Sequence, residues 1–488
     1  MNKKNMSHTP RVRLSMIVKA IAAATLLAGC SFTPTYHTPS TPEPPKFKEL
    51  DGWVPAAPAD ALERGPWWTL FGDPLLNDLA SQVEVSNQNV AAAVAAYSQA
   101  RALVAEQRAG LWPSATLQLS GDRSGSGKGH STTVTSTGTV IGGGSSSVSN
   151  NYRLQIGGSW EPDVWGRLRA GVHAADFNAQ ASAADLAAAR LSAQGELATD
   201  YVSLRSIDAQ RALLATTIEG YQRVLKITQN RFDAGIAPHS DVYQAQTQLQ
   251  NTQSDDLALA RQRAQLEHAI AVLVGKAPAE FTLAPAEWAP TVPEVPVGVP
   301  STLLQRRPDI AAAERRVAAA NEQIGIARSA YFPNINLSGS YGTSGSAVGD
   351  LFRASTAAWS FGASAVQTIA NFGALRAAVE STRAAQDEAA ARYRQTVLTA
   401  YANVEDQLAA TRNLVQQQEL QRQASEAADK VEQQVLNRYK AGQVDYSQVV
   451  VAQVTALNAR RALVTTQASR QSAAVALIQS LGGGWHAQ

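Results

Sequence analysis

The sequence is poor in the residues from which a large globular core is built. Aromatic residues make up 6% of its 488 residues, whereas alanine and glutamine are abundant. Such a composition favours long, narrow helices over several globular domains. The chain also has a single cysteine, Cys30, which excludes an internal disulfide.

Sequence motifs of catalysis and of nucleic-acid binding are also missing. The seven histidines are scattered without helical pair spacing, and no Gly-x-Ser-x-Gly sequence occurs. The run from Gly125 to Gly129 lacks the spacing of a phosphate-binding loop, so we interpret it as a flexible surface loop. No block of Lys and Arg with interleaved aromatic residues follows the N-terminus. We therefore expect neither an enzyme, nor a metal site or a bound cofactor, nor a nucleic-acid partner.

The first thirty residues have the pattern of a bacterial export signal. Five basic residues and no acidic one accompany an apolar stretch, residues 20–28, that is too short to span a membrane. Without residues 1–29 the formal net charge of +2 becomes about −3. The basic character of the chain therefore belongs to this leader.

Cys30 ends a sequence, Leu26-Leu27-Ala28-Gly29-Cys30, that resembles a lipobox. In lipoproteins this thiol carries a diacylglycerol, cleavage makes the cysteine the first residue, and its amine is acylated. Three acyl chains exceed the roughly two signals needed for stable membrane attachment. An ordinary signal peptide with a chance cysteine is the alternative. Ser31, in place of an aspartate, favours sorting to the outer membrane, and the Pro- and Thr-rich residues 30–66 are interpreted as a lipidated tether.

An internal repeat divides the rest of the chain. Residues 89–113 match 309–333 at an offset of 220, and residues 165–170 match 372–377 at an offset of 207. The difference falls in a Gly/Ser/Thr-rich run after Gly121. A repeat of this length predicts two copies of one structural unit. We assign repeat 1 to 67–276, a Pro-rich linker to 277–300, repeat 2 to 301–482 and a C-terminal tail to 483–488.

Each repeat contains two stretches in which apolar and polar residues alternate, at about 113–122 and 150–160, and at about 333–342 and 357–367. This alternation is typical of transmembrane barrel strands about 9–11 residues long. Two surface hairpins on a soluble domain are the alternative. Four strands cannot close a barrel in lipid, because the smallest bacterial barrels need about eight. Several chains must then contribute to one barrel.

Long helices are predicted between the strand pairs. Leu204, Ile207, Arg211 and Leu214 begin a run of three- and four-residue steps, which is a coiled-coil pattern. A single helix over residues 166–230 would extend about 100 Å. Gly235 and Gly442 interrupt the pattern at equivalent positions of the repeats, and each predicts the turn of a helical hairpin.

Together these features resemble the TolC-like outer-membrane factors, in particular the lipoprotein branch of OprM and NodT. The resemblance covers nearly the whole mature chain. Its most specific stretches are Trp67-Trp68 with Phe71, the residues from Leu303 to Ile310, the residues from Ile324 to Pro333, and the paired Arg-aromatic-x-Ala-Gly turns.

The resemblance implies a mixed α+β membrane protein. Its homotrimer would form a 12-stranded β-barrel in the outer membrane, with four strands from each chain, continuous with a long periplasmic α-helical barrel. The implied function is the outer-membrane channel of a tripartite efflux pump. It would be a passive exit duct for drugs or other small toxic compounds that an RND-type inner-membrane transporter and a periplasmic adaptor deliver.

The resemblance also assigns the hairpin turns. Asp241 and Tyr439 fall where the family has a hydrogen bond that holds the periplasmic aperture closed. A helix-start aspartate and a core aromatic residue are the alternative interpretation. The acidic ring of the family falls at Gln448 and Val451, so Asp445 is its nearest substitute. The remaining implied residues are Tyr446 at the aperture and, at the adaptor-contact tips, Ala234, Gly235, Ile236, Ala441, Gly442 and Gln443.

Two rival functions stay open from the sequence. The duct of a type I protein-secretion system would have the same fold and different partners. A structural lipoprotein, acting as a coiled-coil tether without a pore, would lack the alternating strands and the polar lumen. In each case we expect attachment to outer-membrane lipid.

Overall fold

The computed structural model of the protein describes residues 31–41, 44, 46–49, 66–125, 148–293 and 307–483. They fall into two compact units. The strand unit comprises the described parts of Met1–Thr38, Ala100–Ala179 and Arg316–Ala389, and the helical unit those of Pro39–Gln99, Gln180–Arg315 and Ala390–Gln488. Cys30, most of the Gly/Ser/Thr-rich run and part of the linker lie outside the described residues.

The described residues contain seven α-helices and four β-strands. In chain order these are α1 (Pro74–Ser86), α2 (Gln88–Ala109), β1 (Ser114–Gly125), β2 (Val148–Trp160), α3 (Arg167–Asp233), α4 (His239–Leu273), α5 (Pro308–Ser329), β3 (Asn334–Gly345), β4 (Ala357–Val366), α6 (Ala374–Lys440) and α7 (Tyr446–Ser480). Among these described helices, none combines the length and the apolar character that a membrane crossing requires.

The internal repeat is visible in the lengths of the elements. The order α2, β1, β2, α3, α4 recurs as α5, β3, β4, α6, α7. The helices α2 and α5 have 22 residues each, α3 and α6 have 67 each, and α4 and α7 have 35 each. Each repeat therefore folds as one copy of the same sequence of elements.

The strands form one antiparallel sheet in the order β1-β2-β3-β4. In the first hairpin Leu117 lies opposite Ile156, and in the second Leu337 lies opposite Ala363. Leu337 is the repeat equivalent of Leu117 at the offset of 220, and Ala363 is that of Ile156 at the offset of 207. The two hairpins thus have the same register.

Asn87 divides a helical pattern that the sequence suggests is continuous to about Arg108. It ends α1, and its side-chain oxygen accepts hydrogen bonds from the backbone N–H groups of Asn89 and Val90 at 2.9 and 3.1 Å. Its side-chain amide donates to the carbonyl oxygen of Leu273 at 2.8 Å. An asparagine that satisfies the first amides of a helix is a typical N-cap, so a new helix starts here.

The helical unit has an apolar core that contains a buried ionic cluster. Ile207, Leu214, Leu259 and Leu457 bring α3, α4 and α7 together. Beside them the carboxylate of Asp208 accepts from Arg263 at 2.6 Å and from Arg205 at 3.0 Å. The two guanidinium groups also donate to the backbone oxygens of Leu283 and Ala284. The cluster therefore fixes the chain just after α4 against α3 and α4.

Candidate functional site

One face of the four-stranded sheet is apolar and exposed. Residues that lie directly opposite each other share a face, so Leu117, Ile156, Tyr341 and Trp359 form one row across all four strands. Each of these side chains is between 57% and 78% exposed. Contiguous apolar patches of this kind mark a protein or membrane contact.

The opposite face of the sheet is polar. Gln118 lies opposite Gln155, and the hydroxyl oxygens of Ser340 and Ser360 lie 2.8 Å apart across β3 and β4. The two faces are divided as the alternation in the sequence indicates. The observed strands start and end within about three residues of the expected limits. The sheet therefore has one apolar face and one polar face.

The residues that follow Cys30 are docked where α5 leads into β3. The ring of Phe32 stacks on that of Phe332, with centroids 4.2 Å apart. The hydroxyl of Thr33 donates to the carboxylate of Glu322 at 3.2 Å, and the amide of Asn321 donates to the carbonyl oxygen of Pro34 at 2.8 Å. These contacts place residues 32–34 beside the helix-to-strand junction.

The docking of residues 32–34 was not predicted, although the sequence contains a signal for it. Asn321, Glu322 and Gly325 replace Arg101, Ala102 and Ala105 of the first repeat. A side-chain carbon at position 325 would lie 2.1 Å from the Thr33 hydroxyl oxygen, so only glycine leaves room for the segment. Burial raises the pKa of Glu322. A departure from the repeat at a helix face can therefore mark the contact of a distant segment.

The two hairpin tips have the same backbone geometry. The N–H of Gly235 donates to the carbonyl of Phe232, and that of Ile236 to the carbonyl of Arg231. At the offset of 207, Gly442 donates to Tyr439 and Gln443 to Arg438. These pairs are the Schellman arrangement of a helix C-terminus, and the glycines adopt φ of +68° and +76°. All six tip residues named from the sequence, 234–236 and 441–443, are exposed.

Behind the tips lies a small apolar core of the helical unit. Tyr439 and Tyr446 are both 2% exposed and pack with Val224, Ala245 and Val449. Arg231 joins the two hairpins, because its guanidinium lies over the Tyr439 ring at 4.7 Å and donates to the Tyr439 carbonyl oxygen at 2.8 Å. This arginine belongs to the repeated Arg-aromatic-x-Ala-Gly motif, whose sequence alone gives no sign of its contact with Tyr439.

The structure does not bring Asp241 to the Tyr439 phenol within this chain. Thr228 gives its hydroxyl proton to the carbonyl oxygen of Val224 at 3.0 Å. The phenol of Tyr439, 3.3 Å from the Thr228 oxygen, must therefore donate to it. Asp241 lies in the first turn of α4. The pKa of Asp241 is raised above its usual value, chiefly by partial burial and also by the nearby carboxylate of Asp445, whereas a hydrogen bond with Ser240 acts in the opposite direction. The hydrogen bond between Asp241 and Tyr439 at the closed aperture stays a prediction.

Gln448 and Val451, which occupy the positions of the family's acidic ring, line an apolar groove on α6 and α7. Gln448 and Val451 form its wall on α7, and Val431 and Val435 form its wall on α6, around a volume of about 410 Å³. Asp445 is exposed at the N-cap of α7, where its side chain makes no capping hydrogen bond. The groove itself has no acidic residue among its described lining residues.

Comparison with known proteins identifies the family. The family model for the outer membrane efflux protein matches residues 79–276 and 299–483 of the chain. The chain belongs to the outer membrane efflux protein family. Members of this family are components of efflux systems in the outer membrane, and the chain is one of them.

Two relatives and one solved structure extend over nearly the whole chain. The toluene efflux pump outer membrane protein TtgC of Pseudomonas putida is 30% identical over 476 residues, which are 97% of this chain and 96% of TtgC. The pyoverdine export outer membrane protein OpmQ of Pseudomonas aeruginosa is 31% identical over 474 residues, 95% of this chain and 96% of OpmQ. The outer-membrane channel OprN has a TM-score of 0.83 at 29% identity, over 93% of this chain and 100% of OprN. Family membership therefore applies to both repeats.

Proposed function

We propose that the chain forms a homotrimeric channel in the outer membrane, with four strands from each copy in one 12-stranded barrel. The observation that carries the proposal is the sheet, which has an apolar exposed face, a polar face, and β1 and β4 as its outer strands. Edge strands in lipid need partners, because their amide groups find no water there. Three copies joined edge to edge would satisfy them and enclose the polar face.

Within a pump, this channel would be the passive exit duct of a tripartite assembly. A periplasmic adaptor would contact the exposed hairpin tips, and an RND-type inner-membrane transporter would supply the energy. TtgC and OpmQ are named for toluene efflux and for pyoverdine export at nearly the same identity to this chain. Small compounds rather than proteins are therefore the proposed cargo. Their identity would depend on the transporter.

The hairpin tips are the proposed gate. Tyr439 and Tyr446 hold the two hairpins together, and Asp241 and Asp445 place two carboxylates at the tips. Opening would separate the hairpins behind Gly235 and Gly442. The double variant Asp241→Ala with Tyr439→Phe should raise single-channel conductance and the vancomycin sensitivity of cells without lowering the amount of trimer. Unchanged conductance in a normally inserted double variant would assign closure to apolar packing by Val444, Tyr446 and Val451.

A lipid anchor on Cys30 would complement the barrel. The docked residues 32–34 lie beside the junction where the strands begin, so an acyl chain two residues away would reach the same membrane surface. The replacement Cys30→Ser should remove the lipid from the N-terminal peptide in mass spectrometry. An unmodified Cys30 in the wild-type protein would contradict the anchor and leave the channel proposal intact.

The function is tested by complementation together with native mass spectrometry. In a strain that lacks the gene, the wild-type chain should lower the accumulation of a fluorescent pump substrate, and the detergent-solubilised protein should have the mass of a trimer. Restored secretion of a protein substrate without dye export would favour a type I secretion duct. A monomeric protein that restores neither activity would contradict the proposal.

A further inference from the structure

The seam between β2 and β3 joins the two repeats inside the chain. The strands pair antiparallel with Ile156 opposite Tyr341. Just after β2, Trp165 stacks on Phe332 with ring centroids 4.9 Å apart. Its indole N–H donates to the carbonyl oxygen of Pro333 at 2.7 Å. The seam therefore consists of a strand pair and, at its end, an aromatic clasp formed by Trp165, Phe332 and Pro333.

The two outer strands of the sheet, β1 and β4, have the residues for a second seam of this kind. At the repeat offsets, β4 corresponds to β2 and β1 corresponds to β3. Phe372 then takes the place of Trp165, and Trp112 that of Phe332. In this chain the Phe372 side chain is fully exposed, and that of Trp112 is 75% exposed. The two halves are thus present at opposite edges.

The backbone at Phe372 differs from that of its equivalent, Trp165. The φ of 50° at Phe372 is the one positive value for a non-glycine residue among the described residues. Bulky residues adopt this conformation at an energetic cost and keep it where the surroundings fix it. Trp165, the equivalent residue of the internal clasp, does not share this conformation, so the proposed clasp rests on the matched aromatic positions and not on the backbone at Phe372.

We propose that β4 pairs with β1 of a neighbouring copy of this chain in the register of the internal seam, and that Phe372 packs on Trp112 of that copy. The register follows from the observed β2–β3 pairs, when 207 is added to each β2 residue number and 220 is subtracted from each β3 residue number. This places Ala363 opposite Gly121 and Ser364 opposite Ser120. The same offsets convert the β1–β2 register into the observed β3–β4 register. Equivalent strands of the two repeats therefore pair in the same register within the chain. This inference rests on the proposed oligomeric channel and adds the residue register of its seams.

The transferred register also keeps the two faces of the sheet continuous. Phe361, Ala363 and Ala365 share the apolar face with Trp359. They meet β1 at odd-numbered positions, which include Leu119. A slip by one residue would move every side chain of one strand to the wrong face. Because each copy offers one edge of each kind, repetition of this contact gives a ring when the rotation between neighbouring copies closes.

Disulfide cross-linking tests the register. Ser120→Cys with Ser364→Cys should give covalent dimers and trimers on mild oxidation. Directly opposite residues have Cβ atoms about 4.5–5.5 Å apart, close to the separation in a disulfide, whereas diagonal neighbours are about 7–8 Å apart. Ser120→Cys with Gly362→Cys, or with Val366→Cys, should therefore cross-link at least fivefold less. Each single variant controls for cross-links through the native Cys30.

The aromatic clasp is tested with a double-mutant cycle. Phe372→Ala and Trp112→Ala should each lower the temperature at which the trimer dissociates in detergent. The double variant should dissociate at nearly the temperature of the more affected single variant, because both changes remove one contact. Phe352→Ala, at an exposed position in the β3–β4 connection, should leave the trimer unchanged.

The outcomes separate this inference from the channel proposal. Preferred cross-linking of a shifted pair, or additive effects of Phe372→Ala and Trp112→Ala, would overturn the register or the clasp while the native mass still shows a trimer. A monomeric native mass for the wild-type protein would overturn the channel proposal as well. Preferred cross-linking of the Ser120/Ser364 pair, with non-additive clasp variants, would support the inference.

Discussion

A charge on the apolar face of the sheet should block insertion of the protein into a bilayer. Phe361 is near the middle of β4 (Ala357–Val366), and its side chain is 74% exposed. A lysine at this position would therefore meet lipid rather than protein. Lysine at the midplane costs about 2–4 kcal/mol in each chain, which shifts the insertion equilibrium by roughly 30- to 700-fold. In a trimer the cost would be about 6–12 kcal/mol, because the change occurs three times.

Ser360→Lys is the matched control on the other face of the same strand. Ser360 lies on the polar face, where its hydroxyl pairs with that of Ser340, so a lysine there would point into water. Folding into liposomes, followed by urea titration and by the shift in gel mobility, should be lost for Phe361→Lys and retained for Ser360→Lys. The reverse result would exchange the two faces. Equal effects of both variants would contradict the assignment of one face to lipid and the other to water.

The other predictions concern the helical unit. Asp208→Asn should cost about 3–5 kcal/mol, because it leaves the buried charge of Arg205 without a carboxylate and that of Arg263 with Glu267 alone. Circular dichroism should then show a clear drop in melting temperature, with Glu419→Gln at an exposed ion pair as the near-neutral control. Burial and the nearby Glu196 raise the pKa of Asp200 from 3.8 to about 6. The protonated form therefore favours folding, and this stability is lost as the pH rises from about 4 through 6. Asp200→Asn should thus raise the melting temperature at pH 8 and leave it unchanged at pH 4, and an equal change at both values would refute the assignment. Gly442→Ala should cost about 1 kcal/mol through its left-handed backbone, and Gly442→Asn less. Equal melting temperatures for the two variants would contradict this explanation.

The sequence predicts the strands well wherever one face differs chemically from the other. Leu117 and Ile156 are found opposite each other because each occupies an apolar position in an alternating run. The expected end of β1 was too early, however, since β1 continues to Gly125. Asp122 and Arg123 lie opposite Asn151 and Asn150 there. Polar residues on both faces give no alternation, and the strand is extended by backbone pairing and by a hydrogen bond between the hydroxyl groups of Ser124 and Ser149 at 2.9 Å.

Contacts between distant residues were harder to predict. The helical period continues through Asn87, and only its side-chain hydrogen bonds to the next amides show that a new helix starts. The partner of the Tyr439 phenol is Thr228, 211 residues away, and no local pattern marks that pair. The resemblance gives the positions of Asp241 and Tyr439, but it does not show which hydroxyl group of this chain lies next to the phenol.

Cysteine accessibility during single-channel recording tests the central claim most directly. Gln155 lies on the polar face and Ile156, next to it in β2, lies on the apolar face. With Gln155→Cys, a charged thiol reagent that does not cross membranes should reduce the conductance of a channel in a planar bilayer. With Ile156→Cys, the same reagent should leave the conductance unchanged. A block at Ile156→Cys without one at Gln155→Cys, or no conductance from a fully inserted protein, would contradict a channel lined by the polar face.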